Sequence, residues 1–128
     1  MIIIGYKLVD FTPFHTVKKA EEIIKSPVIF EFSEENFALF RAICKKKEIV
    51  FSVETNSVKE ALLANAAGAS YIVAKTKKAA KKIQRIAEYY LFDAKILLKI
   101  KDENEIEKAA KSGIDGVLLP NGVIDGSF

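Results

Sequence analysis

Short apolar runs alternate with segments of helical periodicity along this chain, and that alternation limits the folds open to it. Six runs have the length of β-strands: Ile2–Val9, Val28–Phe32, Ile49–Val53, Tyr71–Ala74, Lys95–Ile100 and Gly116–Leu119. They lack a regular alternation of apolar and polar residues, which is typical of strands covered on both faces. Strands of this kind, joined by helices through short connections, predict right-handed βαβ units and a mostly parallel sheet.

Helical patterns occupy most of the segments between these strands. They cover Val17–Lys25, Glu34–Lys47, Val58–Ala67, Lys77–Phe92 and Glu103–Ser112. Phe14–Val17 could instead form a short edge strand before the first helix, and that alternative stays open. Gly68 and Gly113 lie in matching helix–glycine–strand segments, and a glycine there suits a left-handed helix end. The two segments indicate a repeated βα unit.

The chain has 128 residues, of which 50% are hydrophobic and 29% are charged, so we predict one globular α/β domain spanning residues 1–128. We expect about six strands in an open three-layer sheet of the flavodoxin or Rossmann type. The alternative is an incomplete TIM-barrel-like half barrel, which leaves its interior unfilled unless it dimerises. The tail Val123–Phe128 is too short for a helix that covers the last strand, so we predict a homodimer at an exposed apolar edge.

The composition argues against several classes of protein. No apolar run approaches the roughly 18 residues of a membrane span, and the N-terminus lacks a signal-peptide pattern, so we expect a cytoplasmic protein without a membrane partner. Cys44 is the single cysteine, and its helical spacing with apolar residues predicts a core position. His15 is the single histidine and has no evident co-ligand, so we predict no metal site, and we expect no cofactor.

Positive charge is concentrated in one part of the sequence. The net charge is +3, but the stretch Lys75–Lys95 carries seven lysine and arginine residues and two acidic residues. Tyr89 and Tyr90 lie near this basic stretch, but the periodicity predicts that Tyr90 and Leu91 face the core. With no recognisable nucleic-acid-binding module either, we consider nucleic acid an unlikely partner.

The beginning of the predicted helix Lys77–Phe92 is unusual, because the helix dipole disfavours cations at a helix start. An anion bound by Thr76 and the free N–H groups of Lys77 and Lys78 would relieve this conflict. Lys75 and Lys77 would supply positive charge to that anion site. The alternative is that the lysines form an ordinary solvated helix face.

Charged residues also follow several predicted strands, and ligands of α/β sheets bind beyond the carboxyl ends of strands. Glu31, Glu54, Lys75 and Lys99 are conspicuous there, because an unpaired charge within a sheet is costly. A cluster of glutamate and lysine could transfer protons or form a Schiff base. The alternative is a set of structural ion pairs or solvated strand ends. Asn121 falls at the same edge, in a predicted turn.

Four short segments carry a resemblance to a known family: VETN at 53–56, GA at 68–69, KTK at 75–77 and GIDGVLLPN at 113–121. Through them, residues 28–124 resemble the later half of (β/α)8-barrel enzymes of the indole-3-glycerol-phosphate synthase type. The resemblance implies a barrel-related fold and makes Glu54 the counterpart of an active-site carboxylate. KTK stands where the family has an N-N-R triplet, and Pro120 replaces the glycine of the last phosphate loop, so most active-site motifs of the family are missing.

The sequence therefore supports two hypotheses about function. The favoured one is a non-catalytic domain that binds an anionic small molecule, bearing phosphate or carboxylate, or a protein partner. The alternative is a lyase-like, barrel-related enzyme that uses Glu54 and Lys75 as its catalytic pair. The residues predicted to bind the ligand lie near that pair, and they are Thr76, Lys77, Lys78, Glu31, Lys99 and Asn121.

Overall fold

The protein is built on one sheet of eight parallel strands, as seen in a computed structural model that describes residues 1–124 and residue 128. The strands are β1 (Ile2–Ile4), β2 (Phe14–Thr16), β3 (Val28–Glu31), β4 (Phe51–Glu54), β5 (Tyr71–Ala74), β6 (Lys95–Lys99), β7 (Gly116–Leu118) and β8 (Val123–Ile124). Their spatial order is β1-β7-β6-β5-β4-β3-β2-β8. The α/β class with parallel strands is confirmed, and two short strands, β2 and β8, bring the total above the predicted six.

The helices follow the strands in the predicted order. They are α1 (Phe37–Lys47), α2 (Val58–Ala66), α3 (Lys77–Tyr89) and α4 (Ile106–Lys111), the last preceded by a 3₁₀ turn at Glu103–Glu105. Ser57 and Thr76 cap α2 and α3, because their hydroxyls accept the backbone N–H groups of Glu60 and Ala79 at 3.2 Å. Each cap fixes where the helix begins after the preceding strand.

The helices cover one face of the sheet, and the sheet curls into an open half barrel. The core beneath the helices joins strand residues such as Val53 and Ile72 to helix residues such as Phe40 and Ile83. A separate buried cluster lines the opposite, concave face, and its members all come from strands: Ile4, Phe14, Ile29, Val73, Leu97, Leu118 and Val123. A three-layer sheet needs helices on both faces. The structure therefore matches the half-barrel alternative.

The helix predicted at Val17–Lys25 is wrong, and the strand alternative describes this region better. The N–H of Val17 donates to the Ile29 carbonyl at 3.0 Å, so the chain is still paired with β3 at that point. Only a single 3₁₀ turn forms afterwards, at Ala20–Glu22. The Glu22 carboxylate accepts the N–H groups of Lys18 and Lys19 at 2.6 and 2.9 Å, which closes the turn locally. β2 is not an edge strand, because β8 pairs with its other side.

The apolar edge predicted at the last strand is also wrong. β7 lies between β1 and β6, and Val123–Ile124, predicted as part of a tail, forms β8 against β2. The edges of the sheet are thus β1 and β8. Residues 125–127 of the predicted tail lie outside the described residues.

Two further predictions concern single side chains. Cys44 is fully buried, as predicted, and burial raises the pKa of its thiol. Tyr90 and Leu91 were predicted to face the core but are 62% and 84% exposed, because α3 ends at Tyr89 and Phe92 packs against the core instead. In the part of the chain that the structure describes, no helix combines the length and apolarity needed to cross a bilayer.

Candidate functional site

Four charged side chains converge on the concave face at the carboxyl ends of neighbouring strands. They are Glu31 on β3, Glu54 on β4, Lys75 directly after β5 and Lys99 on β6. Successive side chains of a strand point to opposite faces. Two residues before each charged residue, the strand has a residue that faces the concave side. These preceding residues are, in strand order, Ile29, Ser52, Val73 and Leu97. The pleat of the strands therefore carries all four charges to one rim.

The four side chains form a continuous chain of ion pairs. Lys99 Nζ lies 2.5 Å from Glu54 Oε2, and Lys75 Nζ lies 3.2 Å from Glu54 Oε1. Lys75 Nζ also contacts Glu31 Oε1 at 2.9 Å. The backbone N–H of Lys75 donates to the Asn56 side chain at 2.9 Å, which holds the residue at its position after β5. Both oxygens of Glu54 thus have a lysine partner.

Burial differs sharply along this chain of ion pairs. The side chains of Glu54 and Lys99 are only 8% and 11% exposed, whereas those of Lys75 and Glu31 are 51% and 72% exposed. The carboxylates of Glu31 and Glu54 raise the pKa of Lys75, chiefly through hydrogen bonds. The Lys75 ammonium in turn lowers the pKa of Glu31. Lys75 is therefore held in its protonated form, which is not nucleophilic.

The cluster borders a cavity of about 430 Å³ at the mouth of the half barrel. Among the described residues, the charged side chains that line it are Lys18, Lys75, Lys99, Glu31 and Glu54. Thr16 lines the same cavity, and its buried hydroxyl has no hydrogen-bond partner among the described residues. The Lys99 ammonium also lies 4.9 Å from the centre of the Phe128 ring, a cation–π distance. The described part of the lining therefore combines paired charges with Lys18, which has no ion pair, and with a buried hydroxyl that lacks a hydrogen-bond partner.

The structure separates the other predicted ligand-binding residues from this cavity. Thr76 caps α3 through Ala79, and Lys77 and Lys78 are exposed on that helix. Asn121 lies in a 3₁₀ turn at Pro120–Gly122 and lines a different cleft of about 390 Å³. The predicted site thus divides into one cluster of four charged residues and two outlying groups.

Sequence reasoning missed Thr16 and Lys18 as residues of the cavity. Thr16 is the last residue of β2 and Lys18 lies two residues beyond it. The favoured prediction began a helix at Val17, so neither residue was placed among the ligand-binding strand ends. The signal was present in the alternation of Phe14 and Thr16, which puts the hydroxyl on the same face as the apolar Phe14 ring. Among the described residues, no three His, Cys, Asp or Glu side chains are grouped as metal ligands.

We expect the Glu31–Lys75 pair to make the free energy of unfolding depend on pH in the acidic range. Because the pKa of Glu31 is lowered in the folded state, its contribution is present above its ordinary pKa and is lost as pH falls through the folded value. The stability difference between the protein and Glu31→Gln should therefore stay constant above the ordinary pKa of 4.5 and shrink as the pH falls below it. Urea unfolding measures it, with Glu35→Gln as the exposed control. A difference that persists in acid would contradict the pairing.

No model of a known protein family matches the chain, and neither does any curated protein sequence.

Proposed function

We propose that the chain is a non-catalytic binding domain for a small anion bearing phosphate or carboxylate, held in the concave cavity. The observation that carries this proposal is the lining of that cavity. Its two carboxylates are already paired with Lys75 and Lys99, while Lys18 and the Thr16 hydroxyl have no such partner among the described residues. A ligand anion that enters the cavity would meet one lysine without an ion pair within 4.0 Å among the described residues, and reaching the buried Thr16 hydroxyl would give that group its missing hydrogen bond.

The same contacts argue against the enzyme alternative in the free protein. A lysine that forms a Schiff base must lose its proton, and the two glutamates raise the pKa of Lys75 instead. Glu54, the other member of the predicted catalytic pair, has a lysine on each of its oxygens, so a substrate proton would have to compete with those contacts. Borohydride trapping with small keto acids separates the two hypotheses. Labelling of Lys75 would support the enzyme and contradict the binding domain.

We expect inorganic phosphate or citrate to raise the melting temperature by several degrees at concentrations far above the dissociation constant, because a ligand that binds only the folded state stabilises it. Thr16→Val keeps the shape of the side chain and removes the hydroxyl, and Lys18→Ala removes the free cation. Each change should weaken binding about tenfold, the usual effect of losing one hydrogen bond to a charged group. Thermal shift and calorimetric titration measure both quantities.

The neighbouring Lys19 supplies a matched control. Lys19 is exposed like Lys18 but does not line the cavity, so Lys19→Ala should bind anions as tightly as the unchanged protein. A neutral sugar should give no stabilisation in any variant. The proposal is contradicted if no anion stabilises the protein, or if Lys19→Ala weakens binding as much as Lys18→Ala.

A further inference from the structure

The outer face of α3 carries a dense set of cations that the cavity does not use. These cations are Lys77, Lys78, Lys81, Lys82 and Arg85. All five are exposed, and none has an acidic partner within 4.0 Å among the described residues. All five border one shallow surface cleft. In contrast, the exposed Lys59 and Lys111 each lie 3.6 Å from a glutamate. The five cations of this face are therefore not paired with acids, although one exposed acid, Glu88, lies on the same helix.

Packing of α3 keeps these cations in a fixed row. The opposite side of the helix buries Ala79, Ala80, Ile83 and Ala87 against the sheet, so the helix cannot rotate its charged side away from solvent. Residues four apart lie on one helix face, about 6 Å apart at 1.5 Å per residue. Lysine and arginine residues repeat at this interval from position 77 to position 85. The cations thus form an ordered strip and not a flexible tail.

Aromatic side chains continue this strip at the end of the helix. Tyr89 follows Arg85 by four residues and is 78% exposed, and Tyr90 is 62% exposed. Their ring centroids are 4.8 Å apart with an interplanar angle of 74°. From the sequence, nucleic acid was considered an unlikely partner for two reasons, the predicted burial of Tyr90 and the lack of a recognisable binding module. The exposure of Tyr90 removes the first reason, because a basic strip and exposed rings now occupy one surface.

We propose that this basic–aromatic face of α3, defined by the five cations and Tyr89 and Tyr90, binds single-stranded nucleic acid. The cations would contact backbone phosphates, which supply most of the affinity in non-specific complexes. The tyrosine rings would stack on unpaired bases, a contact that every base can make. In a duplex the bases are already stacked and paired, so the rings would contribute little. Binding is therefore expected to prefer single strands and to tolerate any sequence.

Fluorescence anisotropy with a labelled single strand of about 15 nucleotides, near the upper end of known site sizes, tests this proposal on the whole chain. If all five cations contact phosphates, the affinity should fall about 100-fold between roughly 50 and 200 mM salt. Lys82→Ala with Arg85→Ala should weaken binding and flatten that salt dependence. Tyr89→Ala should weaken binding about tenfold without changing the salt dependence. Tyr89→Phe keeps an aromatic ring, so it should bind as tightly as the unchanged protein.

Lys45 and Lys46, exposed in the last turn of α1, provide a control that removes the same charge elsewhere. Lys45→Ala with Lys46→Ala should leave the affinity unchanged. The proposal is overturned if no single strand binds at low salt, or if the α1 control loses as much affinity as the α3 variant. It is equally overturned if duplex DNA or polyphosphate binds as tightly and Tyr89→Ala has no effect.

Discussion

Replacing Glu54 with alanine is expected to lower the free energy of unfolding by about 3–5 kcal/mol, as removal of one partner from a buried ion pair usually does. Glu54 contacts Lys99 at 2.5 Å, and the two side chains are 8% and 11% exposed. The change would leave the Lys99 ammonium poorly solvated and without its ion-pair partner. Urea unfolding at neutral pH measures the loss.

Two further variants separate this effect from a general loss of charge. Glu34 and Lys59 form a pair at 3.6 Å whose side chains are 75% and 76% exposed, so Glu34→Ala should cost no more than about 1 kcal/mol. Replacing Glu54 by leucine and Lys99 by methionine together should recover most of the stability, because an apolar pair has no buried charge to compensate. A Glu54→Ala protein as stable as Glu34→Ala would contradict the buried role of the pair.

The second large effect is expected at the end of β1, where Gly5→Ala should cost about 3–5 kcal/mol through backbone strain and overlap together. Gly5 has a φ of +105°, a conformation that residues with a side chain rarely adopt. An added Cβ would lie 2.6 Å from the Gly122 nitrogen and 2.9 Å from the Leu119 oxygen. These are backbone atoms of the segment between β7 and β8, so they cannot move aside as a side chain does.

Gly68 offers the matched control for this prediction. Its φ is +97°, but an added Cβ would have no atom within 4 Å, so Gly68→Ala would add strain without overlap. We expect it to cost about 1–2 kcal/mol, at the lower end of the range for a strained backbone. Melting temperatures or urea midpoints compare the two variants. Equal costs would contradict the close approach between β1 and the turn before β8.

The main elements of the fold were predictable because their signals are local. The run Tyr71–Ala74 is observed with the predicted bounds, since a short apolar segment between a glycine-terminated helix and a capped helix has few other conformations. β2 was predicted only as the alternative strand at Phe14–Val17, and β8 was not predicted. They have three and two residues, too few to show a period, and they become strands through pairing, β2 with β3 and β8, and β8 with β2. The curvature of the sheet likewise depends on pairings between distant segments.

In the candidate site, likewise, the charged residues could be predicted from the sequence, but the contacts among them could not. An unpaired charge beside an apolar run is visible in the sequence, which is why Glu31, Glu54, Lys75 and Lys99 were identified together. That Lys75 contacts both glutamates, while Lys99 reaches Glu54 across β5, depends on strand order and register. The exposure of Tyr90 could not be predicted either, because it follows from α3 ending at Tyr89, where the helical period no longer applies.

We propose that small anions bind in the concave cavity and not at the start of α3. Amide NMR spectra recorded during a titration with inorganic phosphate test it most directly, because they locate binding residue by residue. We predict saturable shifts for Thr16 and Lys18 and for the strand ends at Glu54 and Lys99, all of them lost in Thr16→Val with Lys18→Ala. Saturable shifts confined to Thr76–Lys78, or no shifts in the cavity residues, would contradict the account.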